Sequence, residues 1–164
     1  MQKTENNETN QHFKLLIDKY ATLLFRISYC VLCNKDDAED AVQETFLRYL
    51  IKMPEFSSEE HEKAWLIKVV ANISKNVIKL RLRRNVVPFD ELSEIGVNDK
   101  DSEIFELVLN LPSKYNLVLI LYYIEGYKTK EISDILNISE DTARKRLQKG
   151  RELLKKEFER CELI

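Results

Sequence analysis

The chain has 164 residues, 44% of them apolar and 33% charged, with only three glycines and three prolines. This composition suits one compact domain or two small ones and excludes collagen-like, disordered and turn-rich all-β architectures. No stretch approaches the roughly eighteen apolar residues of a membrane span, and the opening MQKTENNETN lacks the basic and apolar segments of a secretory signal, so a cytoplasmic protein without membrane insertion is expected. The formal net charge of −2 hides a segregation: residues 1–85 carry net +2, residues 86–105 net −5 and residues 106–164 net +1.

Helical periodicity runs through most of the chain. Residues 1–12 are polar and are expected as a disordered tail. Phe13, Leu16, Ile17, Tyr20, Leu24, Ile27 and Val31 then follow the i, i+3, i+4, i+7 spacing of one helix face. Ala38, Ala41, Val42, Thr45, Phe46, Tyr49 and Met53 repeat it after the cap-and-turn cluster Asn34-Lys35-Asp36-Asp37, and Pro54 ends that helix. A third face comprises Leu66, Val69, Val70, Ile73, Val77 and Leu80, so residues 13–85 are expected to form a small bundle. Residues 86–103 break the pattern with Pro88, Gly96 and most of the local acids, and read as an acidic linker.

A second helical block spans residues 104–160. Ile104, Leu107, Val108 and Leu111 precede Pro112, which suits the first turn of a new helix carrying Tyr115, Val118, Leu119 and Tyr122 as far as Glu125-Gly126. Thr129 is expected to cap a short helix with Ile132, Ile135 and Leu136; Asn137-Ile138 turns the chain, and Ser139 caps a long final helix. The fold class is therefore all-α, with two small helical domains joined by an acidic linker.

The last two helices have the lengths and turn of a helix-turn-helix, with Ile132, Ile135, Ile138, Ala143 and Leu147 fixing their angle. Arg144, Lys145, Gln148, Lys149 and Arg151 lie on the exposed face of the second, where arginine and lysine suit guanine edges or phosphates and glutamine suits adenine. An isolated basic helix face is more often just solvated; within this frame, contact with DNA is the better reading. A second basic surface runs from Lys63 to Arg84 with seven cations and no acid, with Trp65, Asn72 and Asn76 among them. Trp65 fits equally a ring stacked on an unpaired base and a core anchor at the start of its helix.

Asp37, Asp40, Gln43 and Glu44 share one polar face, which reads as a protein-docking surface, part of it favouring the helix dipole. Acid–base catalysis would need a substrate-orienting partner, and the sequence offers none. Cys30 and Cys33 make a single CxxC without the second ligand pair of a zinc site or the βαβ context of a redox motif; they read as small buried thiols at a helix end. Neither a phosphate loop nor a hydrolase motif is present, so no enzyme, cofactor or metal is expected.

In order and spacing, DAEDAVQETFLRYL (37–50), AWLIKVVANISKNVIKLRLRR (64–84) and KTKEISDILNISEDTARKRLQKGRELL (128–154) resemble the extracytoplasmic-function sigma factors of bacterial RNA polymerase, the smallest branch of the sigma-70 family. The resemblance implies a region 2 domain at 13–85 and a region 4 helix-turn-helix domain at 104–160. It implies core RNA polymerase and promoter DNA as partners and leaves room for an anti-sigma factor. It assigns Asp37, Asp40, Gln43 and Glu44 to core-polymerase docking. Trp65, Lys68, Asn72, Lys75, Asn76, Lys79, Arg81, Arg83 and Arg84 fall to the minus-ten element. Thr142, Arg144, Lys145, Gln148 and Lys149 fall to the minus-thirty-five element, with Arg146 and Arg151 nearer its phosphates.

Two rival readings remain at this level. A stand-alone helix-turn-helix regulator would need neither the acidic face of the second helix nor the Trp-bearing basic helix. A redox or metal enzyme would have to be built on Cys30 and Cys33.

Overall fold

The computed structural model describes residues 2–83 and 105–162; the expected linker at 86–103 and Arg84 lie outside them. Among the described residues there are helices and no strand. Helix α1 spans Gln2–Leu32, α2 spans Lys35–Lys52 and α3 spans Glu59–Arg83. A short helix α4 occupies 105–109, α5 runs Ser113–Leu119 and continues into a π-turn at Ile120–Ile124, α6 is Thr129–Leu136 and α7 is Glu140–Glu162.

Most of the expected core positions bury, but Met53 and Leu80 do not: Met53, 63% exposed, ends α2 in a left-handed turn, and Leu80, 50% exposed, lies on the last turn of α3. Leu16, Tyr20, Leu24 and Ile27 of α1 pack with Ala38, Ala41, Val42 and Phe46 of α2 and with Leu66, Ile67, Val70 and Ile73 of α3. Ser28 and Ser74, both buried, satisfy each other at 3.1 Å across α1 and α3. Asn34 caps α2, accepting from the Asp37 N–H at 2.9 Å.

Three local expectations are corrected. Residues 2–12 continue α1 and are not a disordered tail: none is glycine or proline, and a helix already nucleated by its packed turns extends at one hydrogen bond per residue. Thr129 is the first residue of α6, not its cap; the Lys128 N–H is satisfied by the Glu131 side chain at 2.7 Å. The helix begun after Pro112 does not stay α-helical to Glu125, because the Glu125 N–H reaches back five residues to the Ile120 carbonyl at 3.1 Å.

The two halves pack on each other. The Asn116 side chain, 1% exposed, donates from Nδ2 to the Cys30 carbonyl at 2.9 Å and to the Leu111 carbonyl at 3.3 Å. Lys75 of α3 donates to the Leu136 carbonyl at the end of α6 at 3.4 Å. Lys63 pairs with Glu125 at 2.7 Å and lies over the Tyr127 ring at 5.7 Å.

Gly150 lets α5 and α7 approach closely: a Cβ there would lie 3.1 Å from Leu119 Cδ1 and Cγ. Replacing it with valine adds a branched side chain at that crossing, and Gly150→Val is expected to lower unfolding stability by about 1–3 kcal/mol in urea titration. An unchanged midpoint would show that Leu119 can move aside.

Candidate functional site

On α2, Asp40 and Gln43 are exposed, and Glu44 is half-exposed and paired with Arg48 one turn on, at 2.8 Å. Asp37 does not share that free face. It is half-buried and ion-paired with Arg81 of α3, which also donates to the Leu32 carbonyl at 3.4 Å. Two residues expected in different sites therefore neutralise each other, and Arg81 braces the end of α1. Beyond Glu44 the same face turns apolar, with Leu47 51% and Ile51 73% exposed. The signal for these two was legible: they sit four and eight residues after Gln43, off the buried stripe.

On α3, Lys68, Asn72, Asn76 and Lys79 are exposed at spacings of four, four and three, forming one polar stripe, and Arg83 is exposed beyond it. Lys75 is half-buried and turned toward α6, where burial, with Arg146 and Lys79 nearby, pulls its pKa below the ordinary lysine value.

Trp65 is half-buried, packed as an anchor at the start of α3 while part of its ring stays exposed. Its ring meets Tyr49 edge-on at 6.0 Å and Phe56 at 5.9 Å, and Tyr49 and Phe56 stack at 6.2 Å, so the trio roofs the bundle while keeping aromatic surface outward. Tyr49 donates to Glu62 Oε1 at 2.6 Å; burial first, then Glu62, raises its pKa and keeps it a phenol donor. An open cleft of about 440 Å³ beside this trio is lined by Tyr49, Phe56, Ser58, Glu59 and Glu62.

In the helix-turn-helix, Ile132, Ile135, Ala143 and Leu147 are buried and Ile138 packs against them, as the spacing requires. Ser139 caps α7: its Oγ accepts from the Thr142 N–H at 3.1 Å and lies 2.7 Å from the Thr142 hydroxyl. Thr142 is thus engaged in the cap. Arg144, Lys145, Gln148, Lys149 and Arg151 are exposed; Arg146 is half-buried.

Most of these cations carry an acid from their own helix. Arg144 pairs with Glu140 at 2.9 Å, Lys145 with Asp141 at 2.7 Å and Lys149 with Glu152 at 3.2 Å. The hydrogen bonds from Arg144 and Lys145 hold the Glu140 and Asp141 carboxyls below their usual pKa. A cleft of about 610 Å³ opens between the π-turn and α7, bordered by Lys128, Thr129, Arg144, Gln148 and Arg151.

Cys30 is buried, whereas Cys33 is exposed, correcting the expectation of two buried thiols. Its left-handed backbone (φ 49°) ends α1 and turns its side chain outward. Burial raises both thiols above the usual cysteine range, which disfavours the thiolate that a redox or metal role needs. No metal-competent cluster occurs among the described residues.

Two family descriptions match: "Sigma-70 region 2" over residues 16–86 and "Sigma-70, region 4" over residues 101–154. The chain belongs to the sigma-70 family, in its extracytoplasmic-function branch. It is similar to the ECF RNA polymerase sigma factor SigW of Bacillus subtilis, 27% identical over 165 residues that cover 89% of this chain and 88% of SigW. SigM of the same organism is 29% identical over 150 residues, covering 86% of this chain and 91% of the relative. By fold it is similar to the sigma factor RpoE solved in complex with the anti-sigma factor NepR from Bartonella quintana, with TM-score 0.74, 20% identity and coverage of 91% and 98%. CnrH, solved in complex with the cytosolic domain of CnrY, gives TM-score 0.64, 18% identity and coverage of 92% and 89%.

The Tyr49–Glu62 bond ties α2 to the start of α3 beneath the only tryptophan of the chain. Tyr49→Phe is expected to cost about 0.5–1.5 kcal/mol, read by urea unfolding, and to shift native Trp65 emission. Emission and stability both equal to the parent's would remove the bond from the account of this roof.

Proposed function

We propose how this alternative sigma factor divides its work. The exposed Asp40–Gln43–Glu44 face of α2, with Leu47 and Ile51 continuing it, docks on core RNA polymerase. The Lys68–Asn72–Asn76–Lys79 stripe and Arg83, with Trp65 at its head, meets the minus-ten element, where cations follow phosphates and an aromatic edge supports unpaired bases. Arg144, Lys145 and Gln148 read the minus-thirty-five element in the major groove, with Arg146, Lys149 and Arg151 toward its backbone. Residues 13–85 act as the region 2 module and residues 104–160 as the region 4 module. The chain supplies specificity and no catalysis of its own, works in the cytoplasm where polymerase is, and is open to capture by an anti-sigma factor.

The observation that carries this reading is the pairing, in one chain, of an exposed helix-turn-helix face with a separate basic, tryptophan-bearing helix and an acidic docking face. A stand-alone regulator needs only the first. Asp40→Lys should weaken capture of core polymerase and reduce promoter-directed transcription with that core, while leaving the helical circular dichroism unchanged. Undiminished capture would take the docking role away from this face.

The packed arrangement of the two halves has a mechanical consequence. Elements centred near minus ten and minus thirty-five lie roughly 25 base pairs apart, on the order of 80 Å at about 3.4 Å per pair. Lys75 of the first module touches the Leu136 carbonyl of the second at 3.4 Å, so the packed chain cannot occupy both elements at once. The modules must separate, and residues 84–104 can reach at most about 70 Å when extended. Separation breaks Asn116–Cys30, Lys75–Leu136 and Lys63–Glu125 together with the packing of α1 on α5 and of α3 on α6. A partner shifts the chain toward the open form only by as much as it binds that form more tightly. Lys63→Glu and Glu125→Lys should each enlarge the radius of gyration of the uncomplexed chain in small-angle scattering, and the double exchange should restore it. Additive expansion in the double variant would exclude the pair as a closing contact.

A further inference from the structure

The π-turn at Ile120–Ile124 places two consecutive tyrosines around one arginine of α7. The Tyr122 and Tyr123 rings meet edge-on at 5.0 Å. The Arg151 guanidinium carbon lies 5.4 Å from one ring centroid and 5.5 Å from the other, and its Nε donates to the Tyr123 hydroxyl oxygen at 2.6 Å. In a regular α-helix, neighbouring side chains point apart by more than a quarter turn. The wider turn here, closed by the Glu125 N–H on the Ile120 carbonyl, brings them to bear on the same group.

This contact has no obvious structural necessity. Tyr123 is 58% exposed and Arg151 is exposed, so neither fills the core, and the bond joins residues 28 positions apart across the cleft that Arg144 and Gln148 also border. Other cations of this face, Arg144, Lys145 and Lys149, are paired with carboxylates. Arg151 is held instead by a neutral hydroxyl and two π faces, so no carboxylate offsets its charge. Its Nε is used, and among the described residues neither terminal nitrogen has a partner. Those two nitrogens are the fork that binds a phosphate through parallel hydrogen bonds.

We propose that Tyr122 and Tyr123 are positioning residues that hold Arg151 as a preformed clamp for a backbone phosphate of duplex DNA, and that the π-turn exists to bring them together. The proposal rests on the reading of α7 as a DNA-contacting helix. An arginine on an exposed helix loses rotamer freedom when it binds; one already fixed loses little, so the aromatic pair contributes affinity without touching the ligand. The contribution is independent of base sequence, because phosphates carry none.

The test therefore needs no promoter. Binding of the whole chain to a labelled random-sequence duplex of about 20 base pairs is followed by fluorescence anisotropy across a salt series. Arg151→Ala should weaken binding and flatten the log–log salt dependence by about 0.9. Tyr123→Phe keeps every charge and both rings; it should retain the parent's slope yet bind about 3–10-fold more weakly, with an unchanged thermal midpoint. In the Arg151→Ala background, Tyr123→Phe should have no further effect. Arg151→Lys should keep the slope and lose affinity, since an ammonium cannot form the fork. Nitrogen–proton spectra of the uncomplexed chain supply a reading that does not depend on DNA: a slowly exchanging Arg151 Nε–H that disappears in Tyr123→Phe.

Parental affinity in Tyr123→Phe, or an equal loss with and without Arg151, overturns the clamp while leaving the DNA-contacting helix intact. Failure of the unaltered chain to bind duplex at low salt overturns the DNA reading and the clamp with it. A lowered thermal midpoint in Tyr123→Phe, with the Arg151 Nε–H still protected, would make the tyrosine a brace for the fold and likewise overturn the proposal.

Discussion

The end of α1 is where the architecture is decided. A helix leaves its last carbonyls without internal partners, and α1 has no basic residue in its last turn to answer them. The Tyr29 carbonyl takes the Cys33 N–H at 2.8 Å through the left-handed turn. The Cys30 carbonyl takes the Asn116 amide from the second module, and the Leu32 carbonyl takes Arg81 from α3. One helix end thus orders its own bundle and provides the seat on which the other module rests. The same device recurs in reverse at the end of α6, whose Leu136 carbonyl is met by Lys75. Cations and amides placed at negative helix ends thus join the two halves, alongside the packing of α1 on α5 and of α3 on α6.

That polarity matters for function. Asn116 is almost wholly buried and its amide has two carbonyl partners, which gives the closed arrangement a defined register. Lys75, in contrast, is held where burial first, and then nearby Arg146, disfavours its charge. The closed form therefore sets a specific tether beside a lysine whose charge it disfavours. On separation, Lys75 regains water and its repulsion with Arg146 is relieved by distance.

Much of this was legible in the residues. The buried stripes of α1, α2 and α3 and the helix-turn-helix core follow from helical spacing alone, because apolar burial depends on periodicity and little else. The cap at Asn34 and the cap at Ser139 follow from side-chain oxygens placed one residue before a helix. What could not be read is whatever depends on two distant segments meeting. Asp37 looks like part of an exposed acidic face until Arg81, 44 positions on, is brought beside it. Lys75 belongs to a run of cations and nothing local marks it as the one turned inward. The π-turn is likewise invisible, since ILYYI carries the same periodicity as the helix before it. The intrahelical pairs on α7 were accessible, Glu140 to Arg144 and Asp141 to Lys145 standing four apart in the favourable order.

Those pairs bear on how a chain of net charge −2 can handle DNA at all. Each is exposed and worth little by itself, and a phosphate competing for Arg144 or Lys145 has to displace a carboxylate that is already there. The acids also screen the basic face at a distance, which weakens indiscriminate attraction to any duplex. A helix wired this way gains most where base edges and phosphates are presented together in the right register, and least on random backbone. Low intrinsic affinity is no handicap for a module tethered to another, since the second contact of a linked pair is made at an effective concentration set by the tether. The paired cations, the modest charge and the two-module plan fit the function proposed above, in which each surface binds weakly alone and selectivity arises when both are held on the same promoter.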